Sequence, residues 1–160
     1  MLKKTSGFTI IELMITMAVL VIIATVAIPG FGRLIDANQL TSGTNLITSS
    51  FKFARSEAIK RGTNVTLSTG GDISSGWCIH AGDATGSCAA DQIREFESPD
   101  DLAFTESTSD FVFDRRGFLV PQEAQFLTIA PADCVKDDTS LRRIRISPVG
   151  RIEIQNEACP

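Results

Sequence analysis

MLKKTSGFTIIELMITMAVLVIIATVAIPGFGR, residues 1–33, decides the fold. Lys3 and Lys4 form a short basic leader that ends at Gly7. An uncharged apolar stretch then runs from Leu13 to Gly32, with one carboxylate, Glu12, at its edge. At about 1.5 Å per helical residue these positions reach about 30 Å, the thickness of a bilayer's hydrocarbon core. The stretch therefore predicts a helix that enters a membrane.

A secretory signal places a small-residue cleavage site after its apolar core. Here the order is reversed, because Gly7 precedes the core and Ile28-Pro29-Gly30-Phe31-Gly32 ends it. Cleavage after Gly7 removes both lysines and keeps the helix. The pattern Lys3-Lys4-x-x-Gly7-Phe8-Thr9-Ile10-Ile11-Glu12-Leu13 closely resembles the class III signal of type IV pilins and type II secretion pseudopilins. That resemblance implies a prepilin peptidase that cuts between Gly7 and Phe8 and methylates the new amino terminus of Phe8. It also implies that the chain sits in the bacterial inner membrane with a periplasmic headgroup, then passes into a pilus or pseudopilus. A plain signal anchor has no use for Glu12, since a carboxylate within a membrane helix costs up to about 3 kcal/mol. By the resemblance Glu12 pairs with the Phe8 amine of a neighbouring subunit and sets register during assembly.

The chain has 160 residues, 15 of them basic and 19 acidic. Loss of Lys3 and Lys4 leaves 13 basic residues, a balance of −6, which argues against a broadly basic surface for nucleic acid. The expected organisation is a leader at 1–7, a transmembrane and assembly helix at 8–33, and one headgroup at 34–160. Pro29 lacks an N–H and crowds the preceding turn, so a bend is expected there. Beyond it Leu40, Ile47, Phe51, Ala54 and Ala58 recur at helical spacing, and Lys60-Arg61-Gly62 supplies terminal cations and a left-handed cap. One helix from about Phe8 to Arg61 follows.

After Gly62 the composition turns to strands. Residues 64–68, 77–80, 111–113, 118–120, 125–129 and 141–146 read as strands, with turns at Gly70-Gly71-Asp72 and Asp114-Arg115-Arg116-Gly117. A three-residue loop, Pro148-Val149-Gly150, predicts a hairpin that pairs Ile146 with Ile152, Arg145 with Glu153 and Ile144 with Ile154, the isoleucines sharing a buried face. The expected fold class is α+β, a long N-terminal helix packed on a single C-terminal antiparallel sheet. The helix ending Phe53-Ala54-Arg55-Ser56-Glu57-Ala58 and the later Phe113-x-x-x-Gly117 resemble the FimT/GspH branch of minor pilins and pseudopilins. That branch implies a low-abundance, non-catalytic subunit whose partners are other major and minor pilins.

Four cysteines, Cys78, Cys88, Cys134 and Cys159, all follow the apolar helix, on the side where disulfides persist. Three pairings are open. The favoured one joins Cys78 to Cys88 across a Gly-rich loop and Cys134 to Cys159, which ties back the carboxyl end as in many pilins. Zinc through Cys78, His80 and Cys88 is a weak pattern, and no metal or other cofactor is expected. With one histidine and no nucleophile or zincin motif, no catalytic residues are expected. The acidic pairs Asp100-Asp101 and Asp137-Asp138 read as solvated loops. The sharpest alternative function is DNA capture, which some members of the branch perform through a Gly-Arg-x-Arg element. Arg142, Arg143, Arg145 and Arg151 cluster here, but Gly150-Arg151-Ile152 is followed by Glu153, a carboxylate where a phosphate-binding cation is wanted. DNA is therefore not the favoured partner.

Overall fold

The first element is a helix, α1 (Ile10–Arg61), in a computed structural model that describes residues 8–83, 88, 91–132, 134 and 141–159. Gly7 and the Asp137-Asp138 pair lie outside the described residues, as do the side chains at 26, 28–31 and 33, Pro29 among them. The chain divides into two units, one ending at Asp36 and one beginning at Ala37. In the first, apolar side chains from Ile10 to Ile23 are between 49% and 81% exposed, so this surface has no partner within its own unit. Among the described residues no helix is long and apolar enough to cross a membrane. Helical positions with described side chains run unbroken only from Ile10 to Thr25, short of the roughly 20 residues a span needs.

In the second unit the predicted stripe is the core. Leu40, Ile47, Phe51, Ala54 and Ala58 are each 0–1% exposed. Burying a large side chain such as Ile47 or Phe51 stabilises by about 1.5–3 kcal/mol. The helix also buries Thr44 and Ser50, whose hydroxyls donate to the carbonyls of Leu40 and Leu46 and so carry no unmet bond inward. Gly62 caps the helix at φ 67°, its N–H donating to the Ala58 carbonyl at 3.0 Å.

Two antiparallel sheets, rather than the single one expected, share this helix. The first has strand order β3-β2-β1-β5-β6, from β1 (Val65–Ser68), β2 (Trp77–Ala81), β3 (Gln92–Phe96), β5 (Asp110–Phe113) and β6 (Leu119–Val120). The second runs β4-β7-β8-β9, from β4 (Leu102–Glu106), β7 (Gln125–Pro131), β8 (Leu141–Ile146) and β9 (Ile152–Glu157). Strand β6 stops at Val120 because Pro121 follows directly and has no N–H to extend the ladder with β5. Side chains of both sheets, Leu67, Ile79, Phe111, Leu127, Ile129 and Ile144 among them, converge with the helix stripe in one cluster. Phe51 meets Phe111 edge to face, ring centroids 4.9 Å apart. The α+β layout stands, and one sheet has become two.

The carboxyl-terminal hairpin has the expected register, Ile146 opposite Ile152, Arg145 opposite Glu153 and Ile144 opposite Ile154. Gly150 donates to the Ser147 carbonyl at φ 73°, and Ser147 donates to Arg151. The expectation that all the isoleucines are buried fails at Ile154, which is 46% exposed. It stands on β9, the free edge of the sheet, where no further strand covers it.

Candidate functional site

The helix start is built by Thr9. Its carbonyl accepts from Leu13 and its hydroxyl accepts the N–H of Glu12 at 3.3 Å, so Thr9 caps the helix and Glu12 is its third residue. Thr9-x-x-Glu12 thus has the residue order of a capping box, and the carboxylate lies near the positive end of the helix dipole. Sequence reading assigned Glu12 only an intersubunit role, although this second one was legible in the Thr-Ile-Ile-Glu spacing. Among the described residues the Glu12 carboxylate is in no ion pair, and Phe8 is 82% exposed.

Both disulfides form in the favoured pairing. Cys78 on β2 joins Cys88, and Cys134 joins Cys159 just beyond β9, with Cα atoms 5.8 Å apart in each. Separations of 10 and 25 residues are each worth about 3 kcal/mol in the chain-entropy account. With Cys78 and Cys88 bonded to each other, neither is a thiolate available to zinc. His80 is 2% exposed, its Nδ1 3.3 Å from the Ala81 carbonyl.

The four arginines separate. Strand alternation puts Arg142 on the face of Ile144 and Ile146, opposite to Arg143 and Arg145, so the expected cluster of four is a cluster of three. Those three meet carboxylates: Arg143 pairs with Glu157 at 2.9 Å, and Glu153 lies 3.4 Å from both Arg145 and Arg151. The pairs are half-exposed and worth at most about 1 kcal/mol each. Their consequence is electrostatic, because carboxylates already occupy the cations a phosphate would need.

Arg55, which the sequence marks only as part of the helix-end pattern, joins three elements. Its Nε donates to the Gly117 carbonyl at 3.0 Å and its Nη2 to the Val149 carbonyl at 3.1 Å. Leu119 donates to the Pro148 carbonyl, which ties the start of β6 to the β8–β9 loop. Both loops rest on a left-handed glycine, Gly117 at φ 80° and Gly150 at φ 73°. Asp114 closes the first loop. Burial by itself would raise its carboxyl, but hydrogen bonds from Phe118 and Arg116, with the Arg116 guanidinium, outweigh that and hold it below the usual carboxylate range.

Glu106 links the two sheets at the other end of β1, accepting from the Thr69 hydroxyl at 2.8 Å. Burial pushes its carboxyl above the usual range; the Thr69 hydroxyl opposes this, while Asp72 and Asp110 add repulsion. A raised folded value means that protonation favours the native state. The contribution is therefore full below the unfolded value and is lost as pH rises through the folded one. Glu106→Gln keeps an acceptor for Thr69 and removes the charge. The full chain in detergent should melt at higher temperature at pH 7 and gain less on acidification; equal pH profiles for variant and parent would refute this.

A capped apolar helix behind a basic leader, continuing into the spine of a disulfide-bonded antiparallel headgroup, defines the pilin-type class of subunit. Residues 43–150 match the family model of the type II transport protein GspH, and residues 2–28 match the prokaryotic N-terminal methylation motif; the chain belongs to the GspH family. Among solved structures it is similar to the type IV minor pilin FimU of Pseudomonas aeruginosa strain PAO1, at 27% identity and a TM-score of 0.64, over 74% of this chain and 89% of that one. A second crystal form of FimU gives 25% identity and a TM-score of 0.60, over 72% and 91% of the chains. The minor pseudopilin EpsH of the Vibrio cholerae type 2 secretion system shares the fold, at 11% identity and a TM-score of 0.53, over 74% and 97%. No curated protein matches the sequence.

Proposed function

We propose that the chain is a non-enzymatic minor pilin of a type IV pilus: a prepilin of the inner membrane, cut between Gly7 and Phe8, methylated on Phe8 and drawn into a filament with other pilins. The observation that carries the pilus reading is the likeness to FimU, which is higher in identity and TM-score than the likeness to EpsH. The methylation motif supports processing and anchoring, and the exposed apolar surface from Ile10 to Ile23 supports burial against other helices in the filament. Deleting the gene should abolish or sharply reduce surface pili and leave type II secretion intact. Lost secretion with normal pili would select the type II pseudopilin reading instead. Mass spectrometry of the protein from cells that hold the peptidase should find a chain beginning at methylated Phe8; an intact Met1 terminus would sink the proposal.

DNA capture is the second reading, favoured only by the three arginines on the outer face of β8–β9. With Glu153 between Arg145 and Arg151, the protein should bind duplex DNA weakly or not at all near physiological salt. Glu153→Arg restores Gly-Arg-x-Arg and should strengthen binding in a salt-sensitive way. Tight binding by the parent that is lost in Arg143→Ala or Arg151→Ala would reverse the ranking.

A further inference from the structure

The headgroup separates its charges along β5. At one end of the first sheet Glu95, Cys78, Ser68 and Asp110 lie in one transverse row across β3, β2, β1 and β5. Asp72, in the turn after β1, borders the same recess as Glu95, and Glu106 lies close enough to Asp72 and Asp110 to be repelled by both. Among the described residues none of these four carboxylates, Asp72, Glu95, Glu106 and Asp110, is in an ion pair; Arg143 borders the recess of Glu106 but pairs with Glu157.

The far end of β5 carries the opposite sign. Its loop, Asp114-Arg115-Arg116-Gly117, packs on Arg55 and Ile59 at the end of α1 and beside the loop that bears Val149. The segments that meet there, the end of α1 and the two loops, carry six cations: Arg55, Lys60, Arg61, Arg115, Arg116 and Arg151. Among the described residues three carboxylates pair with them, Glu57 with Lys60 and Arg61, Asp114 with Arg116, and Glu153 with Arg151. Asp83 is at this end too, but it is held by Asn64 on the far side of β1. At this end Ile59 is 51% and Val149 53% exposed, the first beside Gly117 and the second on the residue whose carbonyl accepts from Arg55.

We infer that this end, with Val149 and Ile59 as apolar anchors and a cationic rim, is a docking surface for the carboxylate-bearing end of a neighbouring pilin-type headgroup. An apolar centre inside a charged rim gives an interface both affinity and orientation. Complementary charges at opposite ends of one fold make the contact head-to-tail, the kind that propagates along a filament instead of closing. The partner's chemistry is the one this fold itself displays around Glu106. The inference rests on the filament reading only for the identity of the neighbour.

A photo-cross-linking amino acid at position 149 of the full-length chain, irradiated in cells with the filament machinery, tests it in the membrane pool and in sheared filaments. The expected adduct is with a pilin-type headgroup, through a peptide rich in carboxylates. The same probe at position 154 should give at least about threefold less, as should Lys60→Glu combined with Arg115→Glu, because reversed charges repel the partner. Emission of the buried Trp77 checks that the double variant is folded. No adduct in either pool, an adduct with lipid, nucleic acid or a protein of another class, or a yield insensitive to charge reversal overturns the docking surface. A chain that enters filaments without the adduct refutes the surface alone. A chain absent from filaments refutes the filament reading, and the membrane pool then decides the surface.

Discussion

Gly150→Ala is expected to lower the melting temperature of the full chain in detergent by roughly 10 °C, from a loss of about 2–5 kcal/mol. Two costs combine. A side chain at φ 73° occupies the left-handed region, and its Cβ would collide with the Gly117 carbonyl and lie 2.8 Å from Arg55 Nε. The colliding atom is backbone of a second loop, so relief requires moving the loop of the other sheet or breaking the Arg55 hydrogen bonds. Gly70→Ala separates the two costs, because Gly70 has φ 66° but open space around its Cβ, and should lose only about 1 kcal/mol. Trp77, 2% exposed and stacked on Phe96, reports the unfolding by fluorescence. Equal losses in the two variants would mean that the loops are not interlocked through Gly117 and Arg55.

Arg55 also shows where sequence reading stops. A cation on a helix surface looks the same whether it is solvated or ties two hairpins together, and nothing local to Phe53-Ala54-Arg55-Ser56 distinguishes them. The indirect signal was the pair of glycines, Gly117 and Gly150, both readable as left-handed turn positions; that they share one arginine is a long-range fact. Elements with strong local patterns were legible: the stripe from Leu40 to Ala58, the capping Gly62, and the register of the last hairpin. The strands that escaped, Gln92–Phe96 and Leu102–Glu106, are both sheet edges. One exposed face and no outer neighbour leave room for Gln92, Arg94, Glu95 and Glu106, so their sequences do not alternate cleanly. The division into two sheets was hidden for a related reason, since it depends on which distant strands pair and not on where strands occur. Arg142 is different: alternation along β8 already placed it away from Arg143 and Arg145, and proximity in sequence obscured a separation that the period of two requires.

Glu12 carries the other large expected effect, and its two substitutions separate the two roles the structure leaves it. Glutamine suits the third position of a capping box as well as glutamate does, while alanine loses any side-chain return to the cap. If capping alone were the role, Glu12→Gln should assemble like the parent and Glu12→Ala only slightly worse, since a cap interaction is worth about 1 kcal/mol and the helix continues for many turns. If the carboxylate neutralises an amine on another subunit in an apolar setting, both substitutions remove the same charge. Breaking one partner of such a buried pair costs about 3–5 kcal/mol, so incorporation into sheared filaments should fall at least about tenfold in both. Membrane insertion should be unchanged or slightly better, because a carboxylate has left an apolar helix. The amine required by this account is free only after the leader is removed, so a chain blocked in processing should gain nothing from keeping Glu12. Parental incorporation of Glu12→Gln would leave the Thr9 cap as the residue's whole contribution and remove the charge pair from the assembly mechanism.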